Sequence, residues 1–195
     1  FNKGITNANR IAILESFATV FKIKSKVPNN FDGIPVLNNL KATYYGFKDD
    51  RQAADIDNLW GLYESAINLA KKDDAANREI FTKWYDTVHD QLGIRWNITM
   101  GLYWIRPYEF INLDSINRGF IVDPDNMPVD FVNSVKKKLN KVPYASEYLA
   151  IKDACLHALK DSDYEYKNFP ELSYRAWIVS KQVNQEKAEV KGKKS

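Results

Sequence analysis

An all-α domain is what this sequence predicts, and three observations carry the prediction. Apolar residues recur at three- and four-residue spacing in segment after segment. No stretch sustains the alternation of a half-buried strand, apart from a short possible strand near Tyr44. Asp, Asn, Pro and Gly stand where the periodic segments begin and end. Together they predict a single compact multi-helix domain over 1–185 and a flexible Lys-rich tail over 186–195.

The first helix begins near Asn7 or Asn9, a suitable N-cap, and places Ile11, Leu14, Phe17, Ala18 and Phe21 on one face. Pro28, Asn29-Asn30, Gly33 and Pro35 then open a long loop through Phe47, in which Ile34, Val36, Leu37, Tyr44, Tyr45 and Phe47 suggest packing. From Asp55 to Ala70 the residues Ile56, Leu59, Trp60, Tyr63, Ile67 and Ala70 mark a buried helical stripe, with Asp50 or Asp55 as the cap. Its hairpin partner runs from Asp74 to Leu92, with Ile80, Phe81, Trp84, Val88 and Leu92 inward and Gly93 as the C-cap. Beyond the Asp123–Pro128 turn, Pro128 opens a helix carrying Phe131, Val132, Val135 and Leu139. Pro143 starts another, with Tyr148, Ile151, Cys155 and Leu159 inward and Lys152 and Lys160 outward. The last helix begins near Pro170, carries Leu172, Ala176, Trp177, Val179 and Val183, and fades after about Asn184.

The densest segment is Asn97 to Ile121. Met100, Tyr103 and Trp104 sit at helical spacing before Arg106-Pro107, which ends that helix because the residue before proline is driven out of the α region. A second short helix is expected from Pro107 to about Leu113, followed by a cap at Asp114 or Ser115. In the bland reading Trp104, Phe110 and Leu113 are core and Asp114 is a cap.

Three stretches also carry a resemblance: Thr99 to Pro107, Phe110 to Arg118 (with Leu113, Asp114, Ser115, Asn117 and Arg118), and Ile34 to Asn39 leading to Tyr44–Arg51. This pattern of aromatic and turn residues, with Trp104 and Pro107 prominent, is similar to the region upstream of the motor in McrB-like proteins. Those are the AAA+ GTPase subunits of modified-cytosine (5-methylcytosine) restriction systems. The resemblance implies a cytoplasmic N-terminal recognition or adaptor region in a defence system. It places GTP and Mg²⁺ in a C-terminal motor module, and the endonuclease in a separate subunit. The start at Phe1 and the polar, Lys-rich end lead to the expectation that this is a piece of a larger protein.

Composition narrows the chemistry. A net charge of +3 is only mildly basic, and a single Cys155 excludes an internal disulfide. No apolar run approaches the ~18 residues that span a bilayer. The phosphate-cradling G-x-x-x-x-G-K-[ST] and G-x-G-x-x-G patterns are missing, so no cofactor is expected in this chain. His89, His157 and Cys155 are the only imidazole and thiol ligands, and Cys155 and His157 fall on different helix faces, so no metal site is expected. Asp125 with Glu165 and Lys167, or with Glu189 and Lys191, imitates the letters of a metal-dependent nuclease, but in a turn and a polar loop rather than on adjacent strands.

Binding is what remains. Aromatics outside clear stripes, beside basic groups, suit base stacking and phosphate contact; they are Tyr44, Tyr45, Trp96 and Tyr108, with Arg95, Arg106 and Arg118. The expectation is therefore a non-catalytic region contributing to DNA target recognition, with the nuclease subunit and self-oligomers as partners through the motor module. The first alternative is a protein-interaction adaptor joining a recognition element to the motor ring, and the next is a nuclease domain.

Overall fold

The computed structural model describes residues 4–32, 34, 43–161 and 164–192, and these form an all-α, multi-helix domain with no strand among them. The helices are α1 (Asn7–Val20), α2 (Asp55–Lys71), α3 (Ala75–His89), α4 (Asn97–Ile105), α5 (Ser115–Ile121), α6 (Val129–Val135), α7 (Ala145–Asp161) and α8 (Phe169–Gly192), with a 3-10 turn at Lys138–Asn140.

Helices α2 and α3 pack as a hairpin, because the short link between them brings them back antiparallel as neighbours. Asp74 caps α3 by accepting from the Asn77 N–H at 3.0 Å. The core lies where α3 meets α7 and the segment before α5. There the Phe81 and Phe110 rings stack at 5.6 Å, and Tyr85 stacks on Tyr148 at 5.3 Å. Both tyrosines are buried with their hydroxyls satisfied, Tyr85 donating to the Pro143 carbonyl at 3.2 Å and Tyr148 to that of Ile111 at 3.0 Å. Helix α8 closes the far side against α5 through Phe169, Leu172 and Ala176.

Several sequence expectations are corrected. The 107–113 stretch is a turn and an extended run, not a helix; the Glu109 and Phe110 N–H groups both bond back to the Arg106 carbonyl. Helix α3 ends at His89, and Gly93, at φ 90°, serves the loop beyond it. In α2 the buried stripe is Leu62, Ser65, Ala66 and Leu69, while Ile56, Trp60 and Tyr63 face outward and Trp60 is 64% exposed. Asp55, buried as the first residue of α2, accepts from the Gln52 N–H and the Gln91 side chain, while the cap position falls to Ala54. Ile80, Leu92 and Trp104 are also exposed. In α1 Phe17 and Phe21 stand in solvent, and the buried residue is Arg10. Helix α8 continues to Gly192, past the expected fade near Asn184. Ile34 is exposed, and the expected packing of Val36 and Leu37 lies outside the described residues.

Lys152, expected to face outward, is 4% exposed. Its ammonium bonds Asp73 at 3.0 Å and Asp153 at 3.2 Å, and Arg78 bridges the same two carboxylates, binding Asp153 at 2.7 and 3.2 Å. A buried lysine is tolerated only when paired, and this cluster ties the start of α3 to α7. The Arg78 hydrogen bond, helped by Lys152, holds the Asp73 carboxyl at about 2, below its ordinary 3.8. Because the folded value is depressed, Asp73 contributes its full stabilisation above pH 3.8 and loses it as pH falls toward 2. Urea unfolding of wild type and Asp73→Asn should therefore show a stability gap at about pH 5 that narrows toward about pH 2. A gap independent of pH contradicts this account of the cluster.

Cys155 is fully buried, and burial pushes its thiol up to about 12. Ellman's reagent should find essentially no reactive thiol in the folded chain and one after denaturation, since thiolate and access are both needed. Rapid native labelling would place Cys155 at the surface.

Candidate functional site

The Asn112–Arg118 turn is a hydrogen-bonded knot. Asp114 caps α5 by accepting from the Asn117 N–H at 2.8 Å, and Asn112 donates to Asp114 at 3.0 Å. The buried Asn117 side chain donates to the Asn112 carbonyl at 3.0 Å and to the Ser173 hydroxyl at 2.9 Å, joining α5 to α8. The Leu113 N–H bonds the Thr99 hydroxyl of α4 at 3.1 Å. Arg118 donates to the Leu113 carbonyl at 2.8 Å and lies 3.7 Å from the centre of the Trp96 ring. Ser115, the first residue of α5, is exposed. Of the residues that carry the resemblance, Phe110, Leu113, Asp114, Asn117 and Arg118 hold the fold together here.

Beside this knot, an apolar groove of about 740 Å³ opens between α2 and α4, a size suited to a substantial ligand or a helix face. One wall is Ile56, Leu59, Trp60 and Tyr63 of α2; the other is Ile98, Gly101, Trp104 and Ile105 of α4. Tyr44 and Tyr45 close one side, and Arg106 stands on the rim. The 43–46 segment is pinned to α4: Asn97 donates to the Thr43 carbonyl at 2.8 Å, and the Thr43 hydroxyl donates to the Gly93 carbonyl at 3.1 Å. A Cβ at Gly101 would come within 3.0 Å of the Tyr44 ring, so glycine lets that ring lie against α4. On α2 the Trp84 ring similarly occupies the space over Gly61, where an added Cβ would meet it at 2.6 Å.

The groove's chemistry is that of a binding surface. The Tyr44 hydroxyl is buried with no hydrogen-bond partner among the described residues, and burial raises it to about 12, so it remains a neutral phenol. Among the described residues, Arg106 is the one basic side chain on the rim, and the groove walls hold no thiol, imidazole or carboxylate.

The seven residues expected to touch DNA are divided by the structure. Tyr44, Tyr45 and Arg106 belong to the groove. Trp96 and Arg118 are half-buried against each other, and burial pulls the Arg118 guanidinium below its ordinary value. Arg95, at φ 42° in the left-handed region, and Tyr108 are exposed outside the groove. Sequence reasoning missed Trp60 and Tyr63 as groove residues. The available signal was an apolar arc on α2 that also includes Leu62, Ala66 and Leu69, wider than one neighbouring helix can cover.

Asp125 lies in an exposed turn and Glu165 is exposed, and no group of three His, Cys, Asp or Glu side chains that could hold a metal ion occurs among the described residues. No helix among them is long and apolar enough to cross a membrane.

No curated protein and no solved structure matches this chain. A family described as a domain of unknown function, DUF8425, matches residues 1–179. This corrects the descriptive terms drawn from the resemblance: restriction system, McrB-like, 5-methylcytosine, DNA binding, endonuclease component, AAA+ GTPase region, cytoplasmic and defence are carried by none of these comparisons. With the match covering most of its length, the chain belongs to the DUF8425 family.

Proposed function

We propose that this domain is a non-catalytic protein-interaction module whose α2–α4 groove receives the apolar face of a helix. The observation that carries this reading is the concentration of half-exposed rings, Trp60, Tyr63, Trp104 and Tyr45, around one apolar groove with an arginine at its rim. Trp, Tyr and Arg dominate binding energy at protein interfaces, and a groove between two helices takes a third by its i, i+4 and i+7 anchors. The faces of the four rings left in water gain nothing from folding, so a partner that covers them contributes the stabilisation that folding did not.

The test is titration of the purified chain with amphipathic helical peptides and, separately, with duplex DNA. Peptide uptake that perturbs Trp60 and Trp104 fluorescence, and that weakens in Trp60→Ala, supports the reading. Salt-sensitive binding to duplex DNA with no affinity for any peptide overturns it.

A further inference from the structure

Among the described residues, helix α1 carries a second exposed apolar surface. Ile13, Phe17 and Val20 stand at i, i+4 and i+7, Phe21 stacks on Phe17 at 6.1 Å, and Phe17, Val20 and Phe21 are 52%, 72% and 66% exposed. That is the anchor pattern by which a helix enters a groove. From the sequence and structure of this one chain we infer that the domain self-associates by exchange, with α1 of each copy lying in the α2–α4 groove of the other. The inference rests on the interaction reading above and names its partner as a second copy of this chain.

Dimensions agree. From Ile13 to Val20 the anchors span about 10 Å of helix, and the groove wall from Ile56 to Tyr63 covers the same seven-residue rise of about 10 Å. The area also agrees with what a dimer needs. With aromatic side chains burying roughly 150–250 Å² each, the exposed parts of the groove rings and of Phe17 and Phe21 bring roughly 450–800 Å² into one helix–groove contact. A twofold exchange makes that contact twice, for roughly 900–1,600 Å², which reaches the standard size of a specific interface.

Two further features favour a second copy. Within one chain α1 is engaged at its N-terminal end, where the buried Arg10 lies 5.5 Å from the ring centre of the buried Phe31, while Phe17, Val20 and Phe21 at its C-terminal end remain exposed. Lys22, Lys24 and Lys26 follow α1, and on the α2 side of the groove, opposite Arg106 on the α4 side, the exposed Asp57 and Glu64 offer them carboxylates.

The experiment is sedimentation equilibrium of the chain and of Phe17→Glu and Trp60→Glu, both exposed positions at which the fold should survive, with circular dichroism as the check and Val129→Glu as a control on an exposed residue elsewhere. Wild type and the control should form dimers, and each groove or anchor variant should raise the dissociation constant by at least about tenfold. An equimolar mixture of the two variants should recover a weaker heterodimer, because the intact α1 of one fits the intact groove of the other. If neither variant weakens the dimer, the association uses a different surface and the inference fails. A chain that stays monomeric while a nitroxide at Ser16→Cys broadens the Trp60 indole signal independently of concentration also overturns it, by placing α1 in its own groove. A monomer without such broadening that still takes up a foreign amphipathic peptide overturns the exchange but leaves the interaction reading standing. A monomer that takes up no peptide removes both.

Discussion

Phe81→Ala should lower the unfolding free energy by about 3–5 kcal/mol, enough to consume a large part of the stability of a domain of this size. The ring is fully buried, stacks on Phe110 at 5.6 Å and meets Tyr85 at 5.6 Å, so its removal leaves a cavity between α3 and the segment that leads into α5. Phe110 and Tyr85 cannot collapse into that space freely. Phe110 lies in the run that leads to the Asp114–Asn117 knot, and the Tyr85 hydroxyl is committed to the Pro143 carbonyl. Chemical denaturation of the variant and wild type measures the loss. A change below about 1 kcal/mol would mean that the ring is not at the centre of the core.

Trp60→Ala should have the opposite profile: a stability change within about 1 kcal/mol, together with a loss of groove affinity of about 2 kcal/mol or more, roughly 30-fold. Its ring is 64% exposed and meets Tyr63 edge-on at 5.7 Å, so little buried area is lost when it is removed from the free chain. Once a helix covers the groove, the same ring becomes interface core. Denaturation and peptide titration of one variant separate the two effects. A loss of about 3 kcal/mol of stability would return Trp60 to the hydrophobic core.

The apolar face read on α1, Ile11, Leu14, Phe17, Ala18 and Phe21, and the periodic stripe of α2 are both legible as amphipathic patterns, and both lead to the same error. Periodicity identifies which residues share a helix face, but not whether another element arrives to cover that face. In α2, Leu62, Ala66 and Leu69 and, beside them, Ile56, Trp60 and Tyr63 form one wide arc; α3 covers the first set, and the second remains for the groove. The same limit explains Lys152. Its position along the helix does not say whether it is covered, whereas Asp73 at the start of α3 and Asp153 on α7 draw it inward by supplying carboxylates.

By itself the sequence determined the helical class, most helix positions, and the Asp114 cap, because these follow from interactions within a few residues along the chain. It also marked Asn112 to Arg118 as special, but not why. The tertiary structure alone decided that Asn117 reaches Ser173, that Arg118 covers Trp96, and that Tyr44 packs on Gly101. Each of those contacts joins residues at least about twenty positions apart, and Trp60 and Trp104 come to face one groove from still further apart. Which apolar surface becomes core and which stays open depends on how many helices the chain can bring to each face, and that is settled only when all of them are packed.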